Sequence, residues 1–510
     1  MITVIHSAGL HGLISYGVRV EVDLSQGLPG FDMVGLLGSE VREAKERVKV
    51  AMKNIGMPIP SAKITVNLSP ADIRKEGCAY DLPIAIGLMV CLGKVPKGAT
   101  AETLLIGELG LNGEVKPVRG ILPMIRKAKE DGIRRCIIPK ANEAEGAVVD
   151  GIEIYGFDHM EAVVAFLNGK APSARPISVD LSALLRKEHS DVDDFADVQG
   201  QEMIRRAAII AAAGFHHMLM IGPPGSGKTM IAKRIPSILP RMTPKEALEV
   251  SSVYSVAGLI REGEGLITQR PFLFPHHTIT GNALVGGGQI PKPGVISLAH
   301  RGVLFLDELP EFKRPVLDLL RQPMEDKQVQ ISRKNGTFLF PADTLYVFAM
   351  NPCPCGYYPD QERCRCSEAE IHRYLSHISG PILDRIDLMC EVPAVTLQQL
   401  QNNERGMSSA QMREVIGIAR KMQEKRFCGS DLRFNAEMNH AQIRAFCQME
   451  APAAKLLESL FSSMQMSVRA YHRVLKVART IADLEASEKI CEKHITEAVC
   501  FRNAGERYWR

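Results

Sequence analysis

A glycine-rich stretch in the middle of the chain has the residue types and spacing of a phosphate-binding loop. It lies between the apolar run 218–221 and a helical stretch, and its members are Gly222, Pro223, Pro224, Gly225, Ser226, Gly227, Lys228 and Thr229. Glycines let the backbone amides turn towards an anion, and the helix that follows adds the positive end of its dipole. We therefore predict that Lys228 contacts the β- and γ-phosphates of ATP and that Thr229 binds Mg²⁺.

A second pair of residues could carry out hydrolysis. Asp307 and Glu308 follow the apolar run 303–306, which is typical of a buried strand. If this strand ends beside the phosphate loop, Asp307 would reach Mg²⁺. Glu308 would then act as general base on the attacking water.

A cluster of cysteines could bind a metal ion. Four of the twelve cysteines lie within 14 residues, namely Cys353, Cys355, Cys364 and Cys366. Four close thiolates in a reducing compartment suit tetrahedral Zn²⁺. The Cys-x-Cys spacing is tighter than the usual one, so free or redox-active thiols and an iron–sulfur cluster stay open as alternatives. The other eight cysteines are scattered and are expected to be buried.

The composition around these residues is that of an ordinary soluble protein. Apolar residues make up 45% and charged residues 24%, and a net charge of +4 is too small to identify a nucleic-acid binder. No apolar run reaches the ~18–20 residues of a membrane span, and the N-terminus lacks the pattern of a signal peptide. We therefore expect a cytoplasmic protein without membrane contact.

The periodicity of apolar residues divides the chain into segments. Residues 1–170 and 196–395 alternate strand-like and helical runs, whereas 396–510 have mainly helical periodicity. Between the first two, residues 171–195 combine prolines with an acidic run, which is typical of a linker. Four basic residues of the last segment share one side of a helix: Arg469, Arg473, Lys476 and Arg479. We interpret this side as a solvated face, with the exception of Arg469, for which a separate role is given below.

The nucleotide motifs resemble those of AAA+ ATPases. Asn351, after the apolar run 345–350, is similar to the sensor residue that helps to hold the attacking water. Arg385 resembles the arginine finger that reaches the γ-phosphate of a neighbouring subunit; the alternative is a surface arginine paired with Asp387. Arg469 resembles the second sensor, a cis contact to the same phosphate. The segment that lies over the adenine is matched by Val198, Gln199 and Gly200.

The segment 275–310 resembles the magnesium-chelatase-like branch of AAA+ proteins, and nearly the whole chain is similar to the YifB/ComM family. The resemblance implies an α/β fold with a P-loop AAA+ core, a degenerate Lon-protease-like N-terminal domain and a helical C-terminal lid domain. It also implies a homo-oligomeric ring, expected to be a hexamer, that uses ATP for branch migration of DNA in recombination or natural transformation. The alternative is a chelatase-like ATPase subunit that remodels a protein partner.

Two insertions interrupt the predicted core. A glycine-rich loop surrounds Gly286–Gly288, and a hairpin is predicted around Lys334-Asn335-Gly336. Arg333 and Lys334 at the hairpin tip, with Lys327 nearby, are expected to contact the phosphate backbone of DNA in the pore of a ring; the alternative is a solvated turn. His276 and His277, just before the loop, are expected to point to opposite sides of a strand and to have a structural role.

The N-terminal segment lacks the groups that a Lon-like peptidase needs. Residues 74–86 resemble the segment that carries the nucleophilic serine, but Cys78 and Ala79 stand there, and Gly120-Ile121-Leu122 stands where the lysine is expected. A Ser–Lys dyad requires both groups, so we predict no peptidase activity. We expect Cys78 to be a small buried residue without a catalytic role. An ATP-dependent protease that uses Cys78 is the remaining alternative.

Overall fold

The computed structural model describes residues 2–171, 174–186, 193–333, 336–394, 406–506 and 508–509. It contains two α/β units followed by a helical unit, as the periodicity predicted. Within these residues no helix is both long enough and apolar enough to cross a membrane.

A mixed seven-stranded sheet forms the N-terminal unit. Its strands lie in the order Gly30–Val34, Lys63–Ser69, Ile14–Ser25, Ile2–His11, Thr103–Leu105, Arg135–Pro139 and Glu153–Phe157. Its helices are Ser39–Asn54, Asp81–Cys91, Ile121–Glu130, Glu143–Gly146 and Met160–Leu167. The almost wholly apolar helix Asp81–Cys91 is buried from Asp81 to Val90, because a helix without a polar side must be enclosed.

A parallel five-stranded sheet forms the second unit. Its strands lie in the order Phe272–Leu273, Val303–Leu306, Leu345–Met350, Met218–Ile221 and Leu388–Glu391. Its helices are Glu202–Gly214, Lys228–Ile238, Pro244–Ala257, Gly281–Val285, Val295–Leu298, Arg314–Asp318, Arg321–Asp326, Glu368–Leu375 and Gly380–Leu383. Three strands are buried along their whole length, as their continuous apolar runs require. Their carboxyl ends therefore meet at one edge of the sheet.

The helical C-terminal unit packs against this second unit. Its helices are Ser409–Arg426, His440–Phe446, Ala451–Ser463, Val468–Leu484 and Glu492–Glu506. One continuous apolar cluster joins them to the helix Glu202–Gly214 and to one side of the parallel sheet. Gln423 Nε2 donates to the Ala213 carbonyl at 3.0 Å across the contact. The C-terminal unit therefore covers the core as a lid.

The helix Pro244–Ala257 connects the core to the N-terminal unit. Thr243 and Glu246 form a capping box at its start, with proline in the first turn. Near its other end, the Ser255 hydroxyl donates to Glu145, and the Ser255 carbonyl accepts from Gly120 N at 3.0 Å. A short helix, Leu181–Arg186, lies within the predicted linker, and its leucines pack on a second apolar cluster, which the helix Pro244–Ala257 shares with the N-terminal unit.

Candidate nucleotide site

The phosphate loop has the backbone that its glycines predict. It follows the strand Met218–Ile221 and leads into the helix Lys228–Ile238. Gly225 and Gly227 have left-handed backbones, with φ of +74° and +87°, a conformation that side chains disfavour. A Cβ at Gly222 would overlap the Val392 carbonyl. The loop therefore opens towards a helix N-terminus, which is a natural anion site.

Lys228 lies where the phosphates are expected. Its Nζ donates to the Gly222 carbonyl at 2.8 Å, the Pro223 carbonyl at 2.9 Å and Asn351 Oδ1 at 3.2 Å. Burial lowers the pKa of Lys228, while the nearby Asp307 and Glu308 act in the opposite direction. The ammonium group is thus oriented by carbonyl oxygens that phosphate oxygens can replace.

Oxygen ligands for Mg²⁺ meet beside this lysine. The Thr229 hydroxyl donates to Asp307 Oδ2 at 2.7 Å, and the other carboxylate oxygen of Asp307 accepts from Glu308 N at 2.9 Å. Hydroxyl and carboxylate oxygens are the donors that Mg²⁺ prefers. The residues predicted from the two motifs therefore fit this ion.

Glu308 is oriented by a histidine that the sequence did not connect with it. Its φ is +52°, its side chain is 56% exposed, and its Oε2 lies 3.3 Å from His277 Nδ1. The predicted arrangement of the two histidines is wrong. They lie beyond the strand Phe272–Leu273, and the rings of His276 and His277 pack together with centroids 4.1 Å apart.

The segment expected over the adenine lies next to the phosphate loop. Val198 is buried, and Gly200 has a φ of +65°. Gln201, which the sequence analysis missed, donates from Nε2 to the Ser226 carbonyl at 2.8 Å. This bond links the segment to the loop, and no motif in the sequence marks it.

Arg385 lies at the opposite edge of the parallel sheet. It precedes the strand Leu388–Glu391, whereas the phosphate loop follows the neighbouring parallel strand Met218–Ile221. The two groups are therefore separated by about one strand length, ~13 Å for four residues. The side chain is 10% exposed, with Nη2 2.5 Å from Glu325 Oε1 and Nη1 donating to Pro381 O at 2.6 Å. Its acidic partner is thus Glu325 and not Asp387.

The interpretation of the C-terminal basic residues as a solvated face is wrong for all three residues to which it applied. Arg479 is fully buried and lies 3.0 Å from Asp483. Lys476 Nζ donates to a backbone carbonyl at 2.8 Å, and Arg473 lies 3.7 Å from Asp387. These cations face carboxylates and carbonyls inside the protein, since this side of the helix packs on the core. Arg469 alone is exposed, in the first turn of the helix Val468–Leu484, and its contact to phosphate stays a prediction.

Buried charges surround Asp387 at the amino ends of the strands. Burial raises the pKa of this carboxyl, but a bond from His216 at 3.1 Å and the nearby Arg473 outweigh it and hold the pKa well below its usual range. His217 is enclosed beside it, and burial lowers its pKa to about 4. Near neutral pH, Asp387 therefore stays ionised and His217 stays neutral at the edge of the sheet that carries Arg385.

The predicted hairpin is present, but Lys327 does not belong to its tip. The strands Gln328–Arg333 and Gly336–Pro341 pair in antiparallel register. Lys327 lies at the base, where it pairs with Glu437 of the lid and with Asp343 at 3.3 Å. These two carboxylates would compete with a phosphate for Lys327, and its expected contact with DNA stays a prediction. Lys334 lies outside the described residues.

The two insertions lie side by side. Arg333 is exposed and donates from Nε to the Gly288 carbonyl at 3.3 Å. Gly286–Gly287 pairs with Lys292–Pro293 as a second small ladder. On its other side the hairpin contacts the N-terminal unit, where the Phe338 ring stacks on His11 at 4.1 Å.

The four clustered cysteines come together as predicted. Their sulfur atoms all lie within 4.8 Å of one another. Cys353 Sγ lies 3.3 Å from that of Cys355 and 3.7 Å from that of Cys364, and it accepts from Gly356 N at 3.2 Å. A tetrahedral Zn²⁺ with bonds of ~2.3 Å would hold its sulfurs ~3.8 Å apart, so the arrangement fits. Of the other cysteines, Cys428 and Cys500 are exposed, which contradicts the expected burial.

The positions that resemble the Lon nucleophile and its lysine partner carry no activated group among the described residues. Cys78 is half-buried at a cavity of about 1160 Å³, and burial raises the pKa of its thiol to about 11. A thiol that stays protonated is a poor nucleophile. Gly120 has a φ of +74°, and a Cβ there would overlap Leu10. A lysine therefore cannot occupy this position without displacing Leu10.

Comparison with known proteins decides the family. Three family profiles match successive parts of the chain: "Magnesium chelatase, subunit ChlI" at residues 194–400, "Subunit ChlI of Mg-chelatase" at 20–142, and "Magnesium chelatase, subunit ChlI C-terminal" at 406–502. The competence protein ComM of Haemophilus influenzae is 42% identical, over 98% of this chain and 97% of its own. The chain belongs to the YifB/ComM family.

Further relatives agree with this YifB/ComM assignment. The uncharacterized protein YifB of Escherichia coli is also 42% identical, over 98% of this chain and 97% of its own. Lon protease 2 of Bacillus subtilis is 26% identical over 34% of this chain and 35% of its own. The predicted family and its fold, a magnesium-chelatase-like AAA+ core joined to a Lon-like domain, are therefore confirmed.

Proposed function

We propose that this YifB/ComM protein is an ATP-hydrolysing ring motor that moves or remodels DNA, with an activity of the branch-migration type. The observation that carries the proposal is the position of Arg385. A phosphate loop, an acidic pair and a sensor asparagine meet at one edge of the sheet, whereas the candidate finger lies at the other. One chain thus holds the two parts of an ATPase site that neighbouring chains would complete.

Within one chain the residues have separate tasks. Lys228 binds the β- and γ-phosphates, and its carbonyl partners orient it before ATP arrives. Thr229 and Asp307 would hold Mg²⁺, which neutralises charge on the phosphates. Glu308 accepts a proton from the attacking water, and Asn351 orients that water. His277 sets the position of the Glu308 carboxylate.

The finger would act between subunits. Arg385 exchanges Glu325 for the γ-phosphate of its neighbour and stabilises the charge of the transition state. A head-to-tail contact of this kind closes into a ring when the rotation allows. The family resemblance favours six subunits.

DNA is the proposed substrate of the motor. Exposed Arg333 and Lys292 lie on the two adjacent insertions, with Lys334 expected at the hairpin tip. Basic side chains on loops can contact DNA phosphates, and such contacts do not depend on the base sequence. The name of the Haemophilus relative, a competence protein, agrees with a role in DNA uptake or recombination.

A single assay tests this function. ATPase activity is measured without DNA and with single-stranded, duplex and branched DNA of equal nucleotide concentration. We expect DNA to raise the rate, most strongly for the branched form, and Arg333→Ala to reduce that stimulation. Intact ATPase activity that no DNA stimulates would favour the alternative, a chelatase-like subunit acting on a protein partner.

We also propose that Cys353, Cys355, Cys364 and Cys366 bind one structural Zn²⁺. The sulfur separations support this choice, and four protein ligands leave no open position for catalysis. Metal analysis of the purified protein tests it. Iron with visible absorbance would favour the iron–sulfur alternative, and the absence of any metal would favour free thiols.

A further inference from the structure

The cysteine loop, residues 352–367, contacts the nucleotide site at two points. It begins directly after Asn351, whose side-chain oxygen accepts from Lys228 Nζ at 3.2 Å. Gly356 then packs on Pro224 of the phosphate loop so closely that a Cβ would overlap the proline ring. The loop therefore supports both the sensor asparagine and the wall of the phosphate loop.

Backbone hydrogen bonds hold the individual turns of the loop, whereas contacts between sulfur atoms join its two Cys-x-Cys pairs. It consists of turns and bends, without helix or strand. Buried Cys353 anchors it in the apolar cluster that also contains Leu219 and Ile221, and Tyr358 packs edge-on against Tyr508 at 6.1 Å. Loops longer than ~12–15 residues without secondary structure are uncommon in compact domains. Hydrogen bonds between thiols are weak, so bonds to a metal would be the strongest link between the two pairs.

We propose that the metal in this loop controls the affinity of the protein for nucleotide. Zinc on the four cysteines fixes Gly356 against Pro224 and Asn351 beside Lys228, and loss of zinc leaves a folded protein that binds ATP weakly. The inference rests on the nucleotide and zinc sites proposed above. By linkage, zinc and nucleotide raise the affinity for each other by the same factor, for which ~5–150-fold is typical.

The first experiment removes one metal ligand. Cys364→Ser and the full wild-type chain are compared for zinc content and for the Kd of a fluorescent ATP analogue, without DNA. We expect the variant to lose zinc, to bind the analogue ~5–150-fold more weakly and to keep its circular dichroism spectrum. Cys428→Ser is the matched control, because Cys428 is exposed and lies outside the cluster.

The second experiment changes the contact and keeps the ligands. Gly356→Ala retains all four thiols but places a methyl group against Pro224, at a φ of +87°. Gly429→Ala imposes the same kind of backbone strain, at a φ of +79°, with nothing within 4 Å of the new methyl group. We expect both variants to contain zinc and only Gly356→Ala to bind the analogue weakly.

Reciprocity gives a third measurement. Saturating ATP analogue should slow the transfer of zinc from the wild-type protein to a chromogenic chelator, and it should have no effect on Lys228→Ala. Equal nucleotide affinity with and without zinc would overturn the proposal, as would a wild-type protein that binds no zinc. Because DNA is absent throughout, failure of the proposed DNA activity would leave these results unaffected.

Discussion

Lys228→Ala and Arg385→Ala chains, each inactive alone, should regain ATPase activity when they are mixed. The structure places the phosphate loop and Arg385 at opposite edges of the same sheet, about one strand length apart. Loss of an arginine finger lowers kcat by ~10³–10⁵-fold. Loss of Lys228 removes the bonds that orient the phosphates. Neither chain should therefore turn over ATP measurably by itself.

The recovery in the mixture has a definite size. A working site needs an intact Lys228 from one chain and an intact Arg385 from the adjacent chain. With random assembly through a head-to-tail contact, the fraction of such sites is the product of the two mole fractions, about one quarter in an equal mixture. This fraction does not depend on the number of subunits in the ring.

The assay follows ATPase rate across the mixing ratio at constant total protein. A curve with its maximum at equal amounts is expected. Lys228→Ala mixed with Glu308→Gln serves as control, because both changes affect the same edge of the sheet and no working site can form. If Arg385→Ala binds nucleotide and assembles, yet no ratio gives activity above the sum of the parts, Arg385 is not a finger supplied between subunits.

Three further outcomes test the site and the fold. Glu308→Gln should bind the ATP analogue normally and lose ATP turnover. The control variant Glu311→Gln, at an exposed position, should retain turnover. Turnover by Glu308→Gln would show that Glu308 is not the general base. Burial lowers the pKa of His217 from 6.5 to about 4, so below pH ~6.5 the unfolded chain binds a proton that the folded chain does not. The free energy of unfolding should then fall by ~3 kcal/mol towards pH ~4, and His217→Asn should lose this part of the fall when both proteins are unfolded at each pH. The chain should release no labelled peptides from casein, and release that Cys78→Ser abolishes would restore the protease alternative.

The sequence predicted the elements whose geometry is encoded locally. The phosphate loop, the acidic pair and the sensor asparagine each follow a buried strand, and parallel strands bring their carboxyl ends together. The hairpin also followed from one Asn-Gly pair between two strand-like runs. In these cases a few adjacent residues determine the backbone, so the pattern is sufficient.

Long-range partners could not be predicted in the same way. A helical wheel places Arg473 and Arg479 on one side of a helix but does not indicate that the core supplies carboxylates to that side. Lys327 looked like a free cation until the fold brought Glu437 to it from a segment 110 residues later. The contact between His277 and Glu308 depends on the preceding strand ending at Leu273. The apolar residues around that strand did not indicate where it ends.

The pairing of Lys327 adds a charged link between the hairpin and the lid, beside the apolar cluster that joins the lid to the core. Its ammonium group joins the first residues of the hairpin to Glu437 of the lid. Glu325, two positions earlier in the chain, pairs with Arg385. Any rotation of the lid must therefore either carry the hairpin with it or break an ion pair. A displacement of the hairpin would in turn reach Arg385 through the short helix Arg321–Asp326, which carries Glu325.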